Sequence, residues 1–330
     1  MTLVAQMSDP HVSPPEAART YRRGGRPSPF GQVAAGGLAA PGGSRTSAGG
    51  LACPGGASDV PDKPAGPGRA DSPPPRADAP PPVDTNRHFS VLAGHLASFS
   101  PRPDALVVTG DLAGDGEAGS YRFVRSILKT LPFPVYLVPG NHDKRAEMTS
   151  LCAEFCPPGW DGDLAPRPFL CGTKDLDDLR LIFLDSVREG EHGGGLSPAA
   201  GKFLQGALAG RPGVPALVFA HHPPFMSGLE KMDEPFVGAG ELAGMLRGRP
   251  GALLCCGHLH LGMSARWEGV QSVVCPAVSL DMEPDFNPGG GGAFTVAAPS
   301  FVLHRPSGAG LNSHFLRAPG SWPHDGPFDF

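Results

Sequence analysis

Apolar positions along this chain fall into short continuous runs and helically spaced stretches, separated by turn-forming residues. Leu3-Val4-Ala5 is the first such run and predicts a short buried strand. The pattern then lapses. Residues 14–82 contain only Tyr21 and Phe30 as aromatics, and only Val33, Leu38, Leu51 and Val60 as larger aliphatics. A segment of that kind buries too little apolar surface to offset its ordering entropy, so a disordered insertion is expected there. Arg22, Arg23 and Arg26 near its start could reach a phosphate, or the segment could drape in solvent, which is the expectation. Pattern returns at Val83, where Asp84 or Thr85 can cap a helix carrying Phe89, Leu92 and Leu96 on one face. From there strands predicted at 105–108, 135–138, 179–184, 216–219 and 253–256 alternate with helices predicted at 121–128, 144–155, 198–208 and 241–246. Past His260 the pattern changes to short strands, among them 270–274 and 301–303. Alternation followed by a β-rich tail indicates an α/β fold with at least two sheets. No internal repeat is present.

Composition changes this picture little. Glycine (47) and proline (40) together make 87 of 330 residues, roughly a quarter, but much of the excess lies in the 14–82 segment. The net charge of -5 comes without a basic block, so nucleic acid is not an expected partner. No run of eighteen apolar residues occurs, so no membrane association is expected. The N-terminus shows no basic region followed by an apolar one, and a cytoplasmic location is expected. The seven cysteines are odd in number and form no C-x-x-C pair, which points to free thiols rather than a disulfide framework.

The chemistry lies where the strands end. Five predicted strands run into Asp9-Pro10-His11, Gly110-Asp111, Gly140-Asn141-His142-Asp143, His221-His222-Pro223-Pro224 and Gly257-His258-Leu259-His260. Taken singly, each is a common turn. Ligands of α/β sheets gather at the carboxyl ends of strands, so five such ends with Asp, Asn or His point to one convergent site. Mixed oxygen and imidazole donors suit Mn, Fe and Zn better than Ca or Mg. Asp111, with two oxygens and a full charge, suits a shared position between two ions, and Asn141 adds a carbonyl without adding charge.

This ordered set, D-P-H, G-D, G-N-H-D, H-H-P-P and G-H-L-H, resembles the calcineurin-like metallophosphoesterase family. The resemblance implies a four-layer α/β/β/α sandwich with two mixed β-sheets, as a single domain over 1–330 interrupted by the 14–82 insertion. It implies two divalent ions, Fe or Mn with Zn as the alternative. Asp9, His11, Asp111 and His260 would hold the first, and Asp111, Asn141, His221 and His258 the second. His142, as an imidazolium, would contact phosphate and assist the leaving group. The stretches "HHPPFMSGLEKMDEP" and "APSFVLHRPSGAGLNSHFLRAPGSW" look like the bacterial class III cyclic-nucleotide phosphodiesterases and glycerophosphodiesterases. The activity so implied is hydrolysis of a small phosphodiester, 3',5'-cAMP or a glycerophosphodiester, with a homodimer as the suggested oligomer. Alternatives are a phosphomonoesterase on the same centre and a catalytically silent scaffold. Among the remaining polar residues, His222 is expected beside the ligands or in a structural role. Surface positions are expected for His88, His95, His192 and His324, and structural roles for His304 and His314. Asp143 and Asp185 are expected to orient ligands or cap turns, and Asp115 to be a loop acid.

Overall fold

The computed structural model describes residues 1–14, 84–155, 169–288, 292–308, 310–322 and 325–329. The predicted insertion over 14–82 lies, apart from Pro14, outside the described residues, as do Cys53, Cys156 and His324.

Strand β1 (Val4–Met7) leads across the insertion to helix α1 (Thr85–Ala97), then β2 (Ala105–Thr109), α2 (Ala118–Leu128), β3 (Val135–Val138) and α3 (Arg145–Phe155). Next come β4 (Gly172–Asp175), β5 (Arg180–Phe183), α4 (Pro198–Ala209), β6 (Ala216–Phe219), α5 (Ala239–Arg247) and β7 (Ala252–Cys256). The tail supplies β8 (Met263–Trp267), β9 (Val270–Val274), β10 (Asp281–Glu283), β11 (Ala293–Val296), β12 (Ser300–Ser307), β13 (Gly310–Arg317) and β14 (Asp325–Asp329). Two helix starts, α1 and α4, carry side-chain caps. Asp84 accepts from the backbone N–H of Arg87, and Ser197 accepts from that of Ala200 ahead of Pro198.

Two large mixed sheets result. One has the order β13-β12-β1-β2-β3, with β1, β2 and β3 parallel and β12 antiparallel to β1. The other has the order β4-β5-β6-β7-β9-β8, parallel from β5 through β9 and antiparallel at both edges. Their inner faces interdigitate through Val4, Val107, Tyr136 and Val138 from one sheet and Phe183, Phe219, Leu253 and Cys255 from the other. Helices α1, α2 and α3 cover the outside of the first sheet with Phe89, Leu92, Tyr121, Val124 and Leu151. Helices α4 and α5 cover the outside of the second with Phe203, Leu204, Leu242 and Leu246. The layers are therefore α/β/β/α. The tail adds a third, three-stranded sheet of order β10-β11-β14 that periodicity did not reveal. One buried polar side chain spans the two large sheets: Gln6 on β1 donates to the carbonyl of Cys256 on β7 at 3.0 Å and to the Thr109 hydroxyl at 3.0 Å. No helix of the described residues is long and apolar enough to cross a membrane. The described cysteines, Cys152, Cys171, Cys255, Cys256 and Cys275, are free and buried.

Candidate metal centre

Parallel strands carry their C-terminal ends to one side. Asp9, Asp111, His221 and His258 each stand two residues past the end of β1, β2, β6 and β7, and Asn141 stands three past β3. The turns they occupy are unusual. Among the described residues seven non-glycine residues have positive φ, and five are Asp9, His11, Asp111, His258 and His260. Left-handed backbone costs about 1 kcal/mol or more at a non-glycine residue, and such strain concentrates at functional sites. Gly110, Gly140 and Gly257, just ahead of Asp111, Asn141 and His258, let two backbones approach. A Cβ at Gly257 would collide with Ser8 Oγ and lie 2.9 Å from both Asp9 Oδ2 and the Thr109 carbonyl oxygen.

Two groups of atoms converge in this basin. In the first, His260 Nε2 lies 3.1 Å from His11 Nε2 and 3.6 Å from Asp9 Oδ1, and His11 Nε2 is 3.9 Å from the same oxygen. In the second, His221 Nε2 lies 3.1 Å from Asn141 Oδ1 and 3.3 Å from Asp111 Oδ2. Asp111 Oδ2 is also 3.6 Å from His11 Nε2, which joins the groups. The His258 nitrogen falls within 4.8 Å of those of His221 and His222. All seven residues expected as ligands are thus in one place, with the His142 ring edge-on to His11 at 5.1 Å.

Tautomers make the convergence sharper. His260 Nδ1 donates to the Leu280 carbonyl at 2.9 Å, and His221 Nδ1 donates to the Thr109 carbonyl at 2.7 Å. With Nδ1 so committed, Nε2 is the atom each ring turns inward, toward oxygens that are themselves acceptors. Asp9 Oδ1 is buried with no hydrogen-bond partner, while Oδ2 accepts from the backbone N–H of His258 at 3.0 Å. Donor–donor separations of about 3.0–3.5 Å are what ligands at about 2.1 Å from a common cation produce. Ring nitrogens turned inward, a buried carboxylate oxygen with no hydrogen-bond partner and a carboxylate spanning both groups fit a pair of divalent cations, which would displace any proton on those nitrogens.

Electrostatics agree. Burial raises the Asp111 carboxyl, but His221 and His142 outweigh it and hold it well below the usual carboxylate range. Burial depresses His221, yet Asp111 beside it reverses the sign and lifts it to about 9. Burial drives His11 and His258 well below the ordinary imidazole value and leaves them in the neutral, ligating form. It also lowers His142, against the expectation of a standing imidazolium there.

Among the supporting groups, Asp143, Asp185, Asp115 and His222 stand in the kinds of place the sequence suggested, and Ser279 carries no sequence signal. Asp143 accepts from the backbone N–H groups of Leu112, Ala113 and Gly140 and so binds the β2 and β3 turns together. Asp185 similarly accepts from Leu170 and Val187, and Asp115 accepts from Glu117 and Ser120 at the start of α2. Ser279 Oγ donates to the Asp9 carbonyl at 2.7 Å. His222 is buried behind His221, its Nδ1 2.9 Å from Ser186 Oγ. His192 is exposed, as expected, yet its ring centroid is 6.3 Å from that of His142. His88 corrects the surface expectation: it is only 4% exposed, with Nδ1 at 2.9 Å from the Ser279 carbonyl. His304 bridges Ser313 and Gln6, a structural position, and His314 is exposed.

Comparison with known proteins gives the same direction. The calcineurin-like phosphoesterase family model matches residues 3–262. A probable glycerophosphodiester phosphodiesterase GpdQ of Arcobacter nitrofigilis is 31% identical over 225 residues, 67% of this chain and 80% of the relative. The cAMP/cGMP dual specificity phosphodiesterase of Mycobacterium tuberculosis is 31% identical over 220 residues, 63% of this chain and 64% of that one. The 3',5'-cyclic adenosine monophosphate phosphodiesterase CpdA of Escherichia coli is 29% identical over 185 residues, 55% and 63% of the two chains. Among solved structures, a purple acid phosphatase from yellow lupin seeds superposes with a TM-score of 0.51 at 13% identity, over 71% of this chain and 47% of that one, which bears on the fold alone.

Proposed function

This chain belongs to the calcineurin-like phosphoesterase family, and from that premise we propose that it hydrolyses small phosphodiesters at a two-metal centre. The observation that supports this most is Asp111, whose Oδ2 lies 3.3 Å from His221 Nε2 and 3.6 Å from His11 Nε2. A carboxylate so placed belongs to both ligand groups at once. Asp9, His11, Asp111 and His260 would hold one ion, and Asp111, Asn141, His221 and His258 the other. Mn or Fe suits these donors, with Zn as the alternative. Bound divalent ions would neutralise phosphoryl charge and supply a hydroxide nucleophile near neutral pH.

The chain's own residues do the rest. His142 is tied down by its backbone N–H, which donates to Asp111 Oδ1 at 2.9 Å, so its ring is carried by the same carboxylate that spans the ligand groups. From that position it would hand a proton to the departing alcohol oxygen. Burial lowers its affinity for that proton, which makes the protonated ring a stronger acid. Asp143 keeps the loops in place, and Thr109 and Leu280 fix the two histidine tautomers through their carbonyls. Diesters are favoured over monoesters by the relatives named above, which act on cyclic nucleotides or glycerophosphodiesters.

The test is a metal-reconstituted activity screen on one preparation, with bis(p-nitrophenyl) phosphate, p-nitrophenyl phosphate, 3',5'-cAMP and a glycerophosphodiester. Diester turnover above monoester turnover is expected. The reverse order makes the protein a phosphomonoesterase, and no turnover with Mn or Fe bound makes it a scaffold.

A further inference from the structure

We propose that His88 is a positioning residue for the first ion, and that the first turn of α1 sets the affinity of that ion selectively. The proposal rests on the two-metal reading above and adds the residues that hold the first ligand group in place. His88 is buried on α1, and its Nδ1 lies 2.9 Å from the Ser279 carbonyl oxygen and 3.2 Å from that of Val278. Carbonyl oxygens only accept, so Nδ1 carries the proton and donates to them. The Trp322 ring stands perpendicular to the imidazole with centroids 5.1 Å apart, which fixes the plane of the ring.

The segment that His88 fastens joins two ligands. Val278 donates its backbone N–H to the Ser8 carbonyl at 2.9 Å. Ser279 donates its backbone N–H and its hydroxyl to the Asp9 carbonyl, at 3.3 and 2.7 Å. The Leu280 carbonyl accepts from His260 Nδ1 at 2.9 Å. Asp9 follows β1 and His260 follows β7, so three consecutive residues tie together ligands carried by different sheets.

Two neighbours on the same helical turn hold the third ligand. Thr85 Oγ1 donates to the His11 carbonyl at 3.0 Å. Asn86 brackets Ser13, accepting from its backbone N–H at 3.0 Å and donating to its carbonyl at 2.9 Å. Asp9, His11 and His260 thus all take support from residues 85–88. The second group is fastened elsewhere: the Thr109 carbonyl orients His221, and Asp143 holds the loop of Asn141 through Gly140. Removing a supporting partner of this kind changes metal affinity about 10–100-fold. The asymmetry confines that loss to one ion.

The experiment is calorimetric titration of Mn(II) into metal-free wild type, His88→Ala, His88→Asn, Thr85→Val and Leu96→Ala. Leu96 is buried on the same helix, about two turns beyond these contacts, and its variant loosens α1 without removing a donor. Wild type binds two ions. In His88→Ala one dissociation constant rises about tenfold or more and the other stays in place. His88→Asn, whose amide nitrogen replaces Nδ1 as donor, recovers most of the loss. Thr85→Val weakens the same ion and carries the test by itself where His88→Ala does not fold; Leu96→Ala weakens neither. In His260→Ala, where the first group is already broken, adding His88→Ala alters the remaining ion no further. Turnover of bis(p-nitrophenyl) phosphate by His88→Ala falls at limiting Mn(II) and recovers in excess. Equal weakening of both ions, unchanged affinities in His88→Ala and Thr85→Val, or a matching loss in Leu96→Ala overturns the positioning role. A wild type that binds two ions but turns over no ester overturns the phosphodiesterase reading and leaves the titration to decide this one. Fewer than two ions in the wild type overturns both.

Discussion

The phenol of Tyr121 donates to Asp143 Oδ1 at 3.1 Å and accepts from the backbone N–H of Lys144 at 2.7 Å, which ties helix α2 to the loop carrying Asn141 and His142. Tyr121→Phe removes one partner from a carboxylate that keeps three backbone donors, and about 1 kcal/mol of stability is expected to go. Asp143→Ala instead leaves several donors unpaired and is expected to cost about 3 kcal/mol. Urea unfolding of both variants checks the order; equal losses contradict it.

Asp111→Asn keeps the shape of the shared side chain but removes its charge. It is expected to bind fewer than two metal ions per chain and to lose about 100-fold or more in diester turnover. Elemental analysis of the purified, dialysed variant reads the first quantity without reference to activity. Two tightly held ions per chain in this variant would falsify the shared role.

Two glycines make opposite predictions for one substitution. At Gly257 an added Cβ runs into Ser8 Oγ, with the Thr109 carbonyl oxygen at 2.9 Å, so Gly257→Ala is expected to destabilise by about 2 kcal/mol or more. Gly206 sits in α4 with nothing within 4 Å of an added Cβ, and Gly206→Ala is expected to stabilise by about 0.5–1 kcal/mol. Thermal melts of the pair decide.

His304 supplies a pH dependence. Burial, with a smaller push from His314, lowers it to about 3, and the neutral ring is held between Ser313 Oγ and Gln6 Oε1. The unfolded chain takes up this proton near the ordinary value of 6.5, the folded chain only near 3. Its contribution is thus whole above pH 6.5 and is lost as pH falls toward 3, on the order of 5 kcal/mol in all. His304→Gln is expected to flatten the fall in urea midpoint between pH 7 and pH 4. An unchanged slope assigns the acid sensitivity elsewhere.

How legible all this is in the sequence follows from burial. Strands β2, β3, β6 and β7 read as apolar runs because both of their faces are covered: Val107 meets the opposite sheet and Val108 meets the helices. Strand β4, Gly-Thr-Lys-Asp, is a sheet edge with little to bury and offers no such run. The three residues of β10, Asp-Met-Glu, are equally silent. The metal-centre residues are legible because Asp, Asn and His are conspicuous at strand ends. Their tautomers are not, since the Thr109 and Leu280 carbonyls that set them belong to the backbone of any residue. His88 is a different case. It stands four residues before Leu92 and three after Thr85, on the buried face of α1, so helical spacing alone places it inward.

Gln6 carries a wider consequence. Asp9, His11, Asp111 and Asn141 hang from one sheet and His221, His258 and His260 from the other, so each ligand group draws on both sheets and its width is set by the spacing between them. The bond from Gln6 to Cys256 clamps those sheets a few residues below the basin. The ruler for the metals therefore lies in the interior of the sandwich, and a substitution there that shifts one sheet against the other alters the chemistry without touching a ligand.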